Sequence, residues 1–289
     1  MKNVFLVSFF ALLLLSVSAR AEWNSGKDVN TVQGIEAKRL MDFVENMPWV
    51  ADGEDTGKYI YVFADAGCSA TKQFYTLTRK YTNDVQIRWI FIDGQGEGTY
   101  NSLYEERTPE ALKDAFMAQT LPADKDPKKA AKIDQYVIKG FYMLLINKTL
   151  AVATDRFAFP TFVIGTPEKA VLEAGLDPSN LGTIMGKVPT VPVKSGFVPE
   201  ALTADQDAIG LLPLPAGYKY MNNNTDDAPM HMMPSKSSPF LGGIIPKADW
   251  PIPCTGVTED GFIAMQIAPN GGCIYAYDPV EVKRVLEKK

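Results

Sequence analysis

Histidine and cysteine are the scarce residues of this chain, with one His and three Cys in 289 residues. A lone histidine, His231, excludes multi-histidine zinc sites and argues against the usual Cys–His protease arrangement. Positive charge is in short supply too: 29 Lys and Arg stand against 34 Asp and Glu, a formal charge of −5. That balance argues against a nucleic-acid partner, which wants a basic face. Long apolar runs are missing except at the N-terminus, where Val4 to Val17 spans about 14 residues, short of the ~20 that cross a bilayer. Lys2 before the run and Ala19-Arg20-Ala21 after it complete the three parts of a secretory signal. Residues 1–21 are therefore expected to be removed, leaving a mature chain from Glu22 with no membrane span. No cysteine follows the cleavage pattern, so a lipid anchor is not expected. Losing Lys2 and Arg20 deepens the charge from −5 to −7 and leaves 268 residues, enough for one ordinary domain plus an appendage.

What is present reads as alternating elements. Gly34 to Met47 places Ile35, Leu40, Met41, Phe43 and Val44 at helical spacing, and Asp52-Gly53-Glu54-Asp55 reads as a turn. Tyr59 to Ala64 is a continuous apolar run, as in a strand buried on both faces. It ends at Asp65-Ala66-Gly67, Cys68 follows, and Ser69 to Tyr81 turns helical. Val85 to Ile92 predicts a second buried strand, so the whole is a βαβ unit with parallel strands and a cysteine at a helix N-terminus. Helices are predicted over Pro109–Thr120, Pro127–Asn147 and Pro178–Met185. A strand opens at Phe159-Pro160-Thr161 and pairs with Ala170–Ala174 through a turn at Thr166–Lys169. Beyond Lys187 the composition shifts: eleven prolines between Pro189 and Pro253 exclude long regular elements. A hairpin returns around Pro269-Asn270-Gly271-Gly272, and a helix from Pro279 ends the chain.

Three cysteines in an exported chain imply one disulfide and one leftover thiol. Cys68, on the first turn of a helix, meets unsatisfied amides and the positive end of the dipole, which favour the thiolate and make it a candidate nucleophile. The alternative is an inert buried cysteine. Cys254 and Cys273, with a hairpin turn between them, are the natural disulfide, worth about 3 kcal/mol on the chain-entropy model. The competing reading is that one of them approaches Cys68 as a resolving thiol. Met230-His231-Met232-Met233 offers soft ligands of the kind that suit Cu(I), but loop methionines more often fill gaps. No metal and no cofactor is expected.

Trp49-Val50-Ala51-Asp52-Gly53, Tyr61-Val62-Phe63-Ala64-Asp65, Cys68 and Lys72-Gln73-Phe74 resemble the catalytic segment of the DsbC/DsbG family of periplasmic disulfide isomerases, the DsbG branch in particular. The likeness runs on to the Pro160 strand and Ile184-Met185-Gly186, covering roughly residues 35 to 187. It implies a thioredoxin-like α/β fold, with a cis-proline at Pro160 beside Cys68. It also implies a groove for an extended client lined by Ser69, Ala70, Thr71, Phe159, Pro160 and Thr161. Two departures stand out: Thr71 occupies the place of the second cysteine of the family's Cys-X-X-Cys, and the residues before Trp49 are too few for the family's N-terminal dimerisation domain.

The expected organisation is a signal peptide (1–21), an N-terminal segment with a short helix (22–48) and a thioredoxin-like domain with a helical insertion (49–187). A small disulfide-bonded, β-rich and irregular appendage (188–289) follows. The expected function is periplasmic monothiol exchange through Cys68, isomerase-like or sulfenic-acid-reductase-like, on cysteine-containing exported clients with an external reductant. The alternative, from another class, is a thioredoxin-fold adaptor of an envelope or secretion assembly in which the C-terminal region binds a partner.

Overall fold

The computed structural model describes residues 30–92, 99–123, 133, 136–141, 143–144, 158–175, 177–193, 209–238, 240–250, 254–266 and 272–287. The expected signal peptide lies outside them, as does most of the helix expected over Pro127–Asn147. Residues 136–141 of that helix are helical. Among the described residues no helix is long and apolar enough to cross a membrane.

The protein is mixed α/β, with two sheets. The first carries β1 (Asn30–Gln33), β2 (Val50–Asp52), β3 (Tyr59–Ala64), β4 (Gln86–Phe91), β5 (Thr161–Thr166) and β6 (Lys169–Ala174), in the order β1-β6-β5-β3-β4-β2. β3 runs parallel to β4, as the βαβ reading requires, and antiparallel to β5, which pairs with β6 through Thr166↔Lys169. A parallel pair joined by a helix, extended by an antiparallel hairpin, is the arrangement expected of a thioredoxin-like fold. β3 and β4 are buried at every position, which is why their sequences do not alternate.

The helices follow the apolar spacing. α1 (Ile35–Glu45) packs Leu40, Phe43 and Val44 inward, and α2 (Ser69–Thr78) buries Phe74 and Tyr75. Phe74 stacks on Phe162 of β5 and meets Trp89 of β4 edge-on, so α2 is seated over the middle of the sheet. α3 (Asn101–Glu106) and α4 (Pro109–Lys113) follow β4, and α5 (Leu181–Gly186) follows β6.

Three features depart from the sequence reading. β1 and β2 are short edge strands where no strand was expected, because four polar-alternating residues and three residues before a turn carry little signal. β2 is fastened by Asp52, buried beside α2: its carboxylate accepts from both terminal guanidinium nitrogens of Arg79 and from the Trp89 indole N–H at 3.1 Å. α3 was also unexpected.

The second sheet has the order β8-β7-β11-β10-β9, built from β7 (Ala228–His231), β8 (Phe240–Ile244), β9 (Cys254–Val257), β10 (Phe262–Gln266) and β11 (Cys273–Tyr277). The hairpin expected near the chain's end is β10–β11, in register from Phe262↔Tyr277 to Gln266↔Cys273. α6 (Pro279–Leu286) closes the chain, capped by Asp278, whose carboxylate accepts Glu281 N–H at 3.0 Å. One hydrophobic cluster holds residues of both sheets, from Leu40, Val62 and Phe162 to Tyr220, Met232 and Ile263. α1 bridges them, packing against β5, β6 and β8.

Candidate functional site

The site begins where β3 stops. Its apolar run gives way to Asp65, whose side chain accepts the Gly67 N–H at 2.8 Å while its carbonyl accepts the Cys68 N–H at 3.1 Å. This Asx-type turn redirects the chain into α2. A Cβ at Gly67 would sit 3.2 Å from Asp65 Oδ1, so a larger residue here would push that carboxylate aside by a few tenths of an ångström. The Tyr100 hydroxyl locks the turn from outside, donating to Asp65 Oδ1 at 2.6 Å and accepting the Ala66 N–H at 3.1 Å. Burial, and then the Asp65 carboxylate, push the Tyr100 phenol above its ordinary range, so it stays a donor.

Cys68 is the N-cap of α2, half-buried, and its own side chain caps nothing. Its sulfur lies 3.8 Å from the carbonyl oxygen of Phe159, to which the thiol donates. The Phe159–Pro160 bond is cis. Pro160 is buried, its carbonyl accepting the Gly175 N–H at 2.8 Å, and Thr161, wholly buried at the start of β5, donates its hydroxyl to Ala158 O at 2.7 Å. The structure thus brings together Cys68, Phe159, Pro160 and Thr161 from segments about ninety residues apart. Ser69 is exposed and Ala70 half-buried on the same first turn, while Thr71 points away from solvent with 0% of its surface exposed.

Two contributors went unread in the sequence. Tyr100 gives no signal beyond being an aromatic residue between predicted elements. Phe141, on the 136–141 helix, stacks on Phe159 with ring centroids 6.1 Å apart, so the helical segment reaches the rim of the site.

The other expected features lie elsewhere. Cys254 and Cys273 do not form the expected disulfide: all three cysteines are free thiols. Cys254 is on β9 and Cys273 on β11, and β10 runs between them. Neighbouring strands are about 4.8 Å apart, so two strand spacings exceed the ~7 Å between Cα atoms that a disulfide spans. They also pair with consecutive residues of β10, Met265 and Gln266, and pack against hydrophobic clusters on opposite faces. Burial pushes the Cys254 thiol up to about 11. Neither is bonded to Cys68. His231 is buried between the rings of Phe240 and Phe262, with Nδ1 2.9 Å from Ser238 O, and burial lowers its pKa. Met230 and Met232 are core residues, the gap-filling role. Among the described residues no group of three or more His, Cys, Asp or Glu is placed to hold a metal.

No protein-family model and no curated protein sequence matches this chain. Among solved structures it is similar to the catalytic domain of Proteus mirabilis ScsC, at 19% identity and a TM-score of 0.36, over 54% of this chain and 98% of that one. It is also similar to P. mirabilis ScsC in a compact conformation, at 18% identity and a TM-score of 0.34, over 63% of this chain and 92% of that one. A transitional conformation of the same protein is similar at 17% identity and a TM-score of 0.33, over 63% and 86%. The thioredoxin-like arrangement itself is read from this chain's own strand order and directions.

Proposed function

We propose that this chain is an exported, periplasmic monothiol exchange protein that acts through Cys68 on cysteine-containing exported clients. The observation that carries this reading is the half-buried Cys68 sulfur at the start of α2, 3.8 Å from the carbonyl that precedes a cis-proline. The Phe159–Thr161 backbone offers an extended client a strand to pair with. The Cys68 thiolate attacks a client disulfide, one sulfur bonds to Cys68, and the other leaves as a client thiolate. With a client sulfenic acid the thiol condenses instead, giving the same mixed disulfide and water. Thr71 carries no sulfur to release the client from within, so a second client thiol (isomerisation) or an external thiol reductant (turnover) must do so.

The adaptor reading draws support from the second sheet, a five-stranded unit that supplies none of the residues described around Cys68. One experiment separates the two. The mature protein is mixed with a small aromatic disulfide, released thiol is counted, and the adduct is mapped by mass. The exchange reading expects one equivalent of aromatic thiol beyond that released by Cys68→Ser, whose other two thiols serve as the background, and an adduct at Cys68 that persists until glutathione is added. An unmodified Cys68 in the folded protein would leave the adaptor reading in front.

A further inference from the structure

Among the described residues, Thr71 Oγ1 is the one hydroxyl oxygen that is both buried and without a hydrogen-bond partner. Leaving such a group unpaired costs roughly 1–3 kcal/mol, and an orphan of this kind in a native structure calls for a reason. Solvent is no outlet, because Thr71 is 0% exposed. A helical threonine usually returns its hydroxyl to a carbonyl three or four residues back, and Thr71 does not.

The missing partner is one that chemistry creates. Cys68 is the N-cap of α2 and Thr71 stands three residues on, so the two side chains share a face one turn apart. In the resting thiol the sulfur donates to Phe159 O. Once the proton has left, that carbonyl faces a negative sulfur, an unfavourable contact, and the sulfur needs a donor in place of the acceptor it had. Thr71, three residues on, carries a hydroxyl free to be turned to that use by rotation about its side-chain bond.

We propose that the Thr71 hydroxyl is the hydrogen-bond donor that holds the Cys68 thiolate. This rests on the reading of Cys68 as the nucleophile and adds to it: the residue in place of a second cysteine serves the sulfur as a hydrogen-bond donor and has no part in release of the client. A serine there preserves the function, and the near-isosteric valine abolishes it.

The test is the pH profile of iodoacetamide alkylation at Cys68, mapped by mass, in the mature chain and in Thr71→Val and Thr71→Ser, with thermal unfolding alongside. Thr71→Val should move the profile upward by about one pH unit, the scale of a hydrogen bond to a charged group, and melt no lower than the parent because it removes an unsatisfied hydroxyl. Thr71→Ser should keep the parent profile. A Thr71→Val profile that overlays a reactive parent overturns the Thr71 role and leaves the Cys68 reading standing. Equal displacement in both variants with lower melting temperatures makes Thr71 a packing residue and also overturns it. A parent Cys68 no more reactive than in the urea-unfolded chain sinks the nucleophile reading, and Thr71's role with it.

Discussion

At the residue scale, the chemistry turns on what Thr71 cannot do. Restoring a thiol there should change stoichiometry rather than reactivity alone. With Thr71→Cys, attack by Cys68 on a small aromatic disulfide would be followed by attack from position 71 on the adduct, closing a disulfide between the two positions. One aromatic disulfide would then yield two equivalents of aromatic thiol instead of one, and the protein would be recovered two hydrogens lighter with no adduct. Release of a single equivalent would mean that the buried position 71 cannot reach the sulfur. This part of the site was legible in the sequence, because Cys68, Thr71 and Pro160 are specified by residue type at fixed places along one strand–turn–helix run and one strand start. The other two cysteines, Cys254 and Cys273, were legible only as a count. Their separation is set by strand order, β9-β10-β11, and a spacing of nineteen positions says nothing about which strand lies between.

At the scale of elements, the turn between β3 and α2 decides where the sulfur points, and Tyr100 holds that turn from a distant segment. Tyr100→Phe removes the donor to Asp65 and leaves the buried Ala66 N–H without its 3.1 Å partner. The expected cost is about 1–2 kcal/mol of stability, read by denaturant unfolding. Alkylation of Cys68 should also become less sensitive to unfolding, since a loosened turn exposes the sulfur in the native state. If Tyr100→Phe is as stable as its parent and alkylates identically, the turn holds itself through Asp65 alone. Tyr100 was illegible because its role depends on a hydrogen bond across 35 residues, a property of the tertiary fold. β4 taught a related lesson. Its run reads as buried, and it is, yet it contains Arg88, 1% exposed, whose guanidinium lies over Trp49 and Tyr59 at 4.1 and 3.6 Å and donates to Tyr61 and Gln86. Hydropathy alone does not foresee an arginine whose charge is accommodated by aromatic faces.

For the whole molecule, the telling residue is Lys139, on the 136–141 helix and 0% exposed. Its ammonium donates to Met232 O at 3.1 Å, just past β7, and lies 5.9 and 5.7 Å from the ring centroids of Tyr136 and Tyr275, so it is enclosed where that helix meets the second sheet. Burial lowers its pKa from 10.5 to about 8, with the nearby Cys273 pulling weakly the other way. Below about pH 8 both folded and unfolded chains hold the proton, and the cost of burying it is fully present. Between about 8 and 10.5 only the unfolded chain holds it, so stability from this group rises with pH, by about 3 kcal/mol across the window. Cys254 has the opposite sign: its thiol is raised from 9.0 to about 11, so its contribution falls as pH climbs through that range. The Lys139 effect must therefore be read as a difference between two proteins that share Cys254. Lys139→Met keeps the volume, removes the buried charge and orphans Met232 O at roughly 1–3 kcal/mol. The variant should be no less stable than its parent at pH 7, and the parent should gain on it steadily from pH 8 to 10. A difference independent of pH would mean that Lys139 keeps its proton throughout, balanced by partners in the fold. The junction between that helix and the second sheet would then be held by a buried charge rather than strained by one.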